Sequence, residues 1–499
     1  MSKAMRMDKG KRRNGAGILP GVIADGRSYL ESLRDGRVVV YQGEQIDVTR
    51  HPLFAPTAKV IAKIYDLIAQ DPDLTYETET GARAFTPYLL PMAREDLARI
   101  RQAQEKVHRF HLGLMLQGPE YKGPMISGLG AAGPYFSPYG DNVAKYYRYV
   151  RDLRLYPANA FTDPQVDRSK RPSELPNPDL VLRVVEERDD GVVIRGAKMV
   201  STTAPFAHEL LILRYGGANR LTMEDADYAF IGAVPLNAPG LKLFARKVHR
   251  PQVAHPLDAP FSHLFEESDA FLLFDDVFVP WERVFVYRDP EKADNWLSQT
   301  NLAVSLVYGD LVRWKTRFAI TTALAVKVAK ANGTLGFRGQ QERLGEMLAW
   351  THLMQDLAVA AEANPAPYYQ GVMVNPETVL TYRALRPMIY KRFTDLAKEV
   401  AGSGAAIVPS SLKDYELFPE LEEFTQGANL GGRERTKTYK AFWDLLHSDF
   451  ASRSELSERL HTGNSSDVLV QLFFGAHGLE FDRYFDEAMA HVEALIREI

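Results

Sequence analysis

The chain has 499 residues and not one cysteine. That absence excludes disulfides, thiolate nucleophiles, cysteine-ligated zinc and cysteine-ligated iron–sulfur clusters. No run of about 18 apolar residues occurs, so no membrane-spanning helix is expected. Positive charge is not in excess either. The formal net charge of −4 argues against general nucleic-acid binding, which needs a basic face. The phosphate loop G-x-x-x-x-G-K-[ST] and the G-x-S-x-G nucleophile elbow are both missing. What remains is an ordinary globular mixture, 45% hydrophobic and 25% charged, able to bury a core. The opening residues, "MSKAMRMDKGKRRNGAG", are basic but lack the apolar stretch of a secretory signal. A basic disordered tail over 1–17 and a cytoplasmic location are therefore expected.

Hydrophobic periodicity divides the rest into three blocks. Residues 18–155 read as mostly helical. Val60, Ile61, Ile64, Tyr65 and Ile68 recur at helical spacing over 57–69. Leu97, Ile100, Val107 and Leu114 form a second stripe over 94–116, opened by Glu95 and Asp96 where the helix dipole favours acids. A third helix is expected over 140–155. The period changes over 156–289. "LVLRVVEERDDGVVIRGAKMV" reads as two strands around Asp190-Gly191. Further strands are expected at 209–215, 227–235, 241–248, 270–279 and 283–287, together a compact antiparallel sandwich or barrel. Residues 290–499 return to helices, over about 295–331, 338–362, 376–402, 434–448 and 480–498, with Pro387 kinking or bounding one of them. The fold class is α+β. With no low-complexity linker, the blocks are expected to pack as one body.

Single motifs carry little. "GLGAAG" (Gly128–Gly133) matches a dinucleotide-binding pattern but lacks the strand before it and the helix after it; it reads as a close-packed glycine loop. His108 and His111 sit three apart on a helix, with no carboxylate or third histidine at metalloprotease spacing, so no metal site is expected. "NGTLGFRGQQERLGE" (Asn332–Glu346) leads a glycine-rich turn into a helix bearing Arg338, Gln340 and Gln341. It suits a phosphate, or is a capped turn. "HTGNSSD" (His461–Asp467) is a small polar loop, either a plain turn or a backbone that bonds a heterocycle edge or phosphate. "LQGPEYKG" (Leu116–Gly123) carries Tyr121 and Lys122 past a proline, and otherwise reads as a surface loop. "LYPANAFTDPQVDRSK" (Leu155–Lys170) is irregular, polar and fixed by prolines.

In unbroken order over about 26–498, "YLESLRDGR", "GPEYKG", "LYPANAFTDPQVDR", "GAKMVSTTAP", "FDDVFVPWERVFVYRD", "GTLGFRGQQERLGE" and "VPSSLKD" resemble the 4-hydroxyphenylacetate 3-hydroxylase family. These are large oxygenase components of two-component flavin monooxygenases. The resemblance implies an acyl-CoA-dehydrogenase-like fold and a homo-oligomer, a tetramer rather than a dimer, built through the C-terminal helices. It implies that a separate flavin reductase supplies reduced FAD. That flavin would react with O₂ to give a C4a-hydroperoxide and hydroxylate an aromatic or heteroaromatic small molecule. No nicotinamide site is then needed on this chain.

By the same resemblance, Asn159, Ala160 and Phe161 line the flavin ring, and Gln165, Val166, Asp167 and Arg168 bond its polar edge and ribityl chain. Thr202 and the run His461, Thr462, Gly463, Asn464 match other flavin contacts. Arg338 and Gln341 match a phosphate-binding turn acting across a subunit interface. A sister branch dehydrates 4-hydroxybutyryl-CoA with an iron–sulfur cluster, which a cysteine-free chain cannot ligate.

Two departures bear on the reaction. The family's hydroxylases hold the phenol oxygen with an arginine, a tyrosine and a histidine. Here Tyr121 remains, but Gln117 replaces the arginine and Asn159 the histidine. Neither amide carries charge or acts as a base near neutral pH, and loss of a general base costs roughly 10²–10⁴ in rate. Tyr121, Gln117 and Asn159 remain the candidate catalytic residues. Either the substrate is already activated, or Lys122, His208, His255 or His263 takes the lost role, or the reaction differs. N-hydroxylation, oxidation, oxidative rearrangement and a non-catalytic flavin binder are the alternatives. Arg214 and Tyr215 fall near the family's substrate-tail contacts; Arg214 either grips a carboxylate or is a solvated strand end. His255 and His263 lie in His249–His263, which resembles the loop covering the substrate pocket.

Overall fold

The computed structural model describes residues 19–216, 219–463, 465–474 and 481–498. The basic tail expected over 1–17, and Asn464, lie outside them. In the first block, α1 (Gly26–Ser32) is followed by β1 (Val38–Tyr41) and β2 (Glu44–Ile46). This hairpin was not among the elements expected in a mostly helical block. Its turn residues Gln42 and Gly43 have φ of 51° and 89°, the left-handed pair that a two-residue hairpin turn requires. Then come α2 (Ala55–Gln70), β3 (Thr75–Glu77), β4 (Arg83–Phe85), α3 (Arg94–Phe110), α4 (Pro119–Ala131) and α5 (Gly140–Asp152).

The helix expected over 94–116 stops at Phe110. Leu112 and Gly113 adopt φ of 59° and 64°, which breaks the helical path. A Cβ at Gly113 would lie 2.8 Å from the Arg317 backbone nitrogen, so this turn packs directly on a helix of the third block. Every residue of α4 is buried. The "GLGAAG" glycines form its second half and the turn that follows rather than a loop. A Cβ at Gly130 would strike the Tyr147 ring at 2.5 Å, so the small residues let α4 sit against α5.

The second block contains β5 (Pro157–Ala160), β6 (Arg183–Arg188), β7 (Gly191–Thr202), β8 (Glu209–Ile212), β9 (Phe230–Pro235), β10 (Leu241–Ala245), α6 (Pro260–Phe265), β11 (Asp269–Pro280) and β12 (Val284–Tyr287). They form a six-stranded sheet, β2-β1-β10-β11-β7-β6, and a four-stranded sheet, β12-β9-β8-β5. β1 runs parallel to β10, and β5 parallel to β8; the other pairings within these two sheets are antiparallel. The β6–β7 hairpin turns at Asp189-Asp190, with Arg188 opposite Gly191. Ile194, Leu272, Phe274, Leu211 and Ile231 are among the fully buried residues of the two sheets.

The third block holds α7 (Pro290–Gln299), α8 (Leu302–Ala331), α9 (Arg338–Ala363), the hairpin β13 (Ala366–Tyr368) and β14 (Gly371–Met373), and α10 (Pro376–Ala401). The short α11 (Asp414–Leu417) and α12 (Leu421–Phe424) precede α13 (Gly432–Leu446), α14 (Asp449–Leu460), α15 (Ser465–Phe474) and α16 (Phe481–Glu498). Pro387 lies inside α10 and does not end it. Trp314 and Phe318 of α8 stack toward α10, where the Phe318 and Phe393 rings lie 3.7 Å apart. Among the described residues no helix is long and apolar enough to cross a membrane.

Candidate active site

The site forms where α4 begins. Before it, the Glu267 carboxylate accepts the Leu116 and Gln117 amides at 2.8 Å each, and Arg453 lies 3.5 Å from the same carboxylate. Burial pushes the Glu267 pKa up, against the pull of Arg453. The Tyr156 hydroxyl donates to the Gln117 carbonyl. Pro119 occupies the first turn of α4, where its missing N–H is no loss. "LQGPEYKG" is thus a pinned, largely buried helix start and not a surface loop. It presents Gln117, Tyr121 and Lys122 toward β5.

Lys122 joins Gln117 and Asn159. Its Nζ donates to Gln117 Oε1 and to Asn159 Oδ1. The residue is 0% exposed. Burial lowers its pKa to about 7, opposed by Glu267, Asp269 and Glu120. The same ammonium lies 5.5 Å from the Tyr121 ring centroid. Burial, and secondarily Asp310, pushes the Tyr121 pKa up, so its hydroxyl keeps its proton at neutral pH. Among the described residues that hydroxyl has no hydrogen-bond partner.

The segment read as irregular contains a strand. β5 covers 157–160 and pairs with β8 on one side only. Its other edge receives the Ser201 hydroxyl on the Asn159 carbonyl at 3.0 Å, and an isolated bridge joins Thr162 to Met199. Such an edge leaves backbone donors and acceptors free. Beyond it, Phe161 stacks on Trp296 with centroids 5.8 Å apart. Ala160 is buried and Val166 half-buried, while Gln165, Asp167 and Arg168 are exposed. Thr202, at the end of β7, is half-buried.

The loop after α14 closes the site from the bundle. The His461 ring sits 6.5 Å from the Tyr121 ring, at 64°. Burial, with the Arg386 charge, lowers the His461 pKa to about 4. Its Nε2 is buried with no partner among the described residues. Arg383 donates to the Thr462 carbonyl at 2.8 Å and Arg386 to its hydroxyl at 3.1 Å. Behind them, Arg313 and Arg386 share the carboxylates of Asp310 and Glu458 at 2.6–3.1 Å, all four fully buried. Gly463 has φ of 109°, and a Cβ there would approach the Tyr215 hydroxyl at 3.5 Å.

Other expected participants are placed elsewhere. Arg214 is spent on Asp294 at 2.7 Å and Asp163 at 3.0 Å, so it braces the 161–163 turn against α7 and is not free for a substrate carboxylate. His208 accepts the Tyr156 amide at Nδ1 (2.9 Å) and donates from Nε2 to Ser32 (2.8 Å). Burial lowers its pKa to about 3, so it is a structural histidine rather than a base. His255 accepts the Leu257 amide. His263 accepts Arg250 at its carbonyl. Neither is hydrogen-bonded to Gln117, Tyr121 or Asn159. Arg338 is 92% exposed in its side chain and, among the described residues, pairs with Glu342 alone; Gln341 is exposed.

Glu120 brings a carboxylate to His108 and His111, at 3.7 Å and 3.1 Å from their Nε2 atoms. The spacing of a metal site is there, but the proton positions oppose it. Met115 N–H donates to His111 Nδ1, which leaves the proton on Nε2, facing Glu120. A metal at that nitrogen needs the other tautomer.

The sequence reading missed Glu267, Arg453, Arg383 and Arg386. Their partners are remote in the chain, and only the unusual "EESD" run before β11 hinted at buried acids.

The 4-hydroxyphenylacetate 3-hydroxylase N-terminal profile matches residues 25–286, and the C-terminal profile matches 293–489. A Streptomyces globisporus monooxygenase acting on a (3S)-3-amino-3-(3-chloro-4-hydroxyphenyl)propanoyl group on a peptidyl-carrier protein is 34% identical, over 93% of this chain and 90% of its own. The oxygenase component of a 4-nitrophenol 2-monooxygenase from a Rhodococcus species is 33% identical, over 90% and 88%. Among solved structures, the oxygenase component of 4-hydroxyphenylacetate 3-monooxygenase complexed with FAD and 4-hydroxyphenylacetate superposes with a TM-score of 0.88. It is 30% identical and the match covers 95% of this chain and 99% of that one. An archaeal 4-hydroxybutyryl-CoA dehydratase shares the fold, with a TM-score of 0.83 at 21% identity.

Proposed function

Because the chain belongs to the 4-hydroxyphenylacetate 3-hydroxylase family, we propose that it is the oxygenase component of a two-component aromatic monooxygenase. It takes reduced FAD from a separate reductase in the cytoplasm and works as a homotetramer. The observation that carries this reading is the meeting of Tyr121, Asn159 and His461, from α4, β5 and the loop after α14, around one site. The substrate-side tyrosine and the flavin-side segments come together although the chain separates them widely.

The residues fit FAD. The edge of β5 that pairs with no strand offers the backbone groups Ser201 leaves open to a heterocycle, and His461 Nε2 is buried without a partner among the described residues. Asn159, Ala160, Phe161 and the 461–463 loop would hold the ring, with Thr202, Gln165, Val166, Asp167 and Arg168 along its polar side. Arg338 and Gln341 open α9, beside the far end of α10. Arg383 meets Thr462, whereas Gln340 meets Val400, and about 25 Å of helix lies between. That distance supports their serving the site of a second copy.

When bound, reduced FAD supplies two electrons and the activated oxygen. This chain's side chains orient the ring: Tyr121 donates to a substrate oxygen, and the wholly buried α4 keeps water from the reacting face.

The test begins with protein loaded anaerobically with reduced FAD, then mixed with O₂ and a panel of phenols, indoles and aromatic amines. The expected product is one oxygen atom heavier, with that atom derived from O₂. Peroxide and oxidised FAD alone, for every candidate, would overturn the reading. Gln117 and Asn159 favour a second reading, oxygen transfer to nitrogen, which the position of the new oxygen in the product separates.

A further inference from the structure

Gln117 and Asn159 stand where the family pattern has an arginine and a histidine, and they converge on one amine. We propose that Lys122 binds the ring hydroxyl of a phenolic substrate and accepts its proton, doing the work of both missing residues. The inference rests on the monooxygenase reading above and narrows its substrate to an aromatic ring bearing an ionisable hydroxyl.

The geometry is specific about protons. Lys122 Nζ gives one N–H to Gln117 Oε1 and one to Asn159 Oδ1. A neutral amine has only two N–H bonds, so its lone pair is left for the third direction. An ammonium has a third N–H there instead. No third partner occupies Nζ among the described residues. The same position can therefore take a phenol O–H when the lysine is neutral and a phenolate oxygen once the proton has moved. Two uncharged amides are suited to this. They fix the amine without clamping it in its charged form, as a directly bonded carboxylate would.

The surroundings keep both forms within reach. Glu267 and Asp269 face the amine from the start of β11, and Glu120 from α4; each favours the ammonium. Arg453 of α14 neutralises the first two, at 3.5 Å and 2.9 Å, and Arg246 pairs with Asp269 at 2.5 Å. Burial then tips the balance toward the free amine, and its pKa near 7 suits proton transfer at neutral pH. Tyr121, still protonated, is placed to donate to the same substrate oxygen.

The step balances. The phenol O–H proton passes to Nζ and the pair becomes phenolate and ammonium. The activated ring carbon forms the new C–O bond with one atom of O₂, the other leaves as water, and two electrons come from reduced FAD. Loss of the ring C–H proton restores aromaticity. Lys122 is among the candidates for the role of the arginine and histidine, and it stands between the two amides that replace them.

The experiment reads ionisation of bound 4-nitrophenol by its visible absorbance, from pH 5 to 9, on FAD-loaded protein kept anaerobic. The wild type is expected to bind the probe as phenolate and to lower its apparent pKa by about one unit or more, a tenfold shift in equilibrium. Lys122→Met should abolish that shift and cut hydroxylation by roughly 10²–10⁴, with FAD affinity and thermal midpoint checked alongside. Lys122→Arg, which keeps a charge but cannot accept a proton, should still bind phenolate. Its kcat/KM should then track the free phenolate in solution. Three outcomes overturn the inference: an unshifted probe in the wild type, no binding of any phenol in a panel, or a Lys122→Met protein with unchanged ionisation and rate. If the probe is ionised through Lys122 but no aromatic is oxygenated, the monooxygenase reading fails and this assignment stands.

Discussion

Glu267 holds Gln117 through the backbone, its carboxylate taking the Gln117 amide and the neighbouring Leu116 amide at 2.8 Å each. The turn that carries the site is therefore set by a residue at the head of β11 and not by α3 or α4 themselves.

Glu267→Ala should be among the most damaging single changes outside direct contact with ligands. It strands two buried amides, at about 1–3 kcal/mol each, and leaves Arg453 short of a carboxylate. A thermal midpoint lowered by many degrees, with weakened substrate binding, is expected. Retention of both stability and substrate affinity would show that water replaces the carboxylate.

Tyr121→Phe removes a hydroxyl with no partner among the described residues and keeps the ring against Lys122 and His461. Stability should change by less than about 1 kcal/mol. Product formation should fall by roughly 10²–10³, the usual cost of one aimed donor, with more peroxide released per FAD oxidised. Steady-state product and peroxide yields measure both.

Gly463→Ala tests the loop after α14. At φ of 109° an L side chain is strained, and its Cβ would meet Arg383 Nη2 at 2.9 Å. FAD affinity should drop at least tenfold while the thermal midpoint of the flavin-free protein moves little. Equilibrium titration with reduced and oxidised FAD reads the effect.

Acid should destabilise the fold through buried neutral histidines. His208 and His461 have pKa values lowered to about 3 and about 4 from an ordinary 6.5. The unfolded chain then binds protons that the folded one refuses. The stabilising contribution of each is whole above pH 6.5 and is lost as pH falls, by up to about 1.4 kcal/mol per unit. His208→Asn keeps an acceptor for the Tyr156 amide without the titration, so its thermal midpoint should fall less steeply between pH 6.5 and 4. An unchanged slope would place the acid sensitivity elsewhere.

The order of blocks, most helices and strands, and the family were legible in the chain, as was the β6–β7 hairpin, whose turn falls at Asp189-Asp190, one residue before the expected Asp190-Gly191. These depend on local periodicity and turn chemistry, which a linear chain displays directly. Periodicity did not reveal α14 and α15, whose apolar stripes are short, and Ser465–Asp467, expected in a loop, open α15. The sequence hid β1 and β2, although Gln42-Gly43 was a usable turn signal, because two short strands become a sheet only when β10 lies beside β1. Tertiary structure alone decided that Lys122 bridges Gln117 and Asn159, that Arg214 is spent on Asp163 and Asp294, and that His208 is neutral and fully engaged. A side chain's charge and reach are set by what burial takes from it and by which distant partners the fold returns. Neither can be read from the residues next to it in the chain.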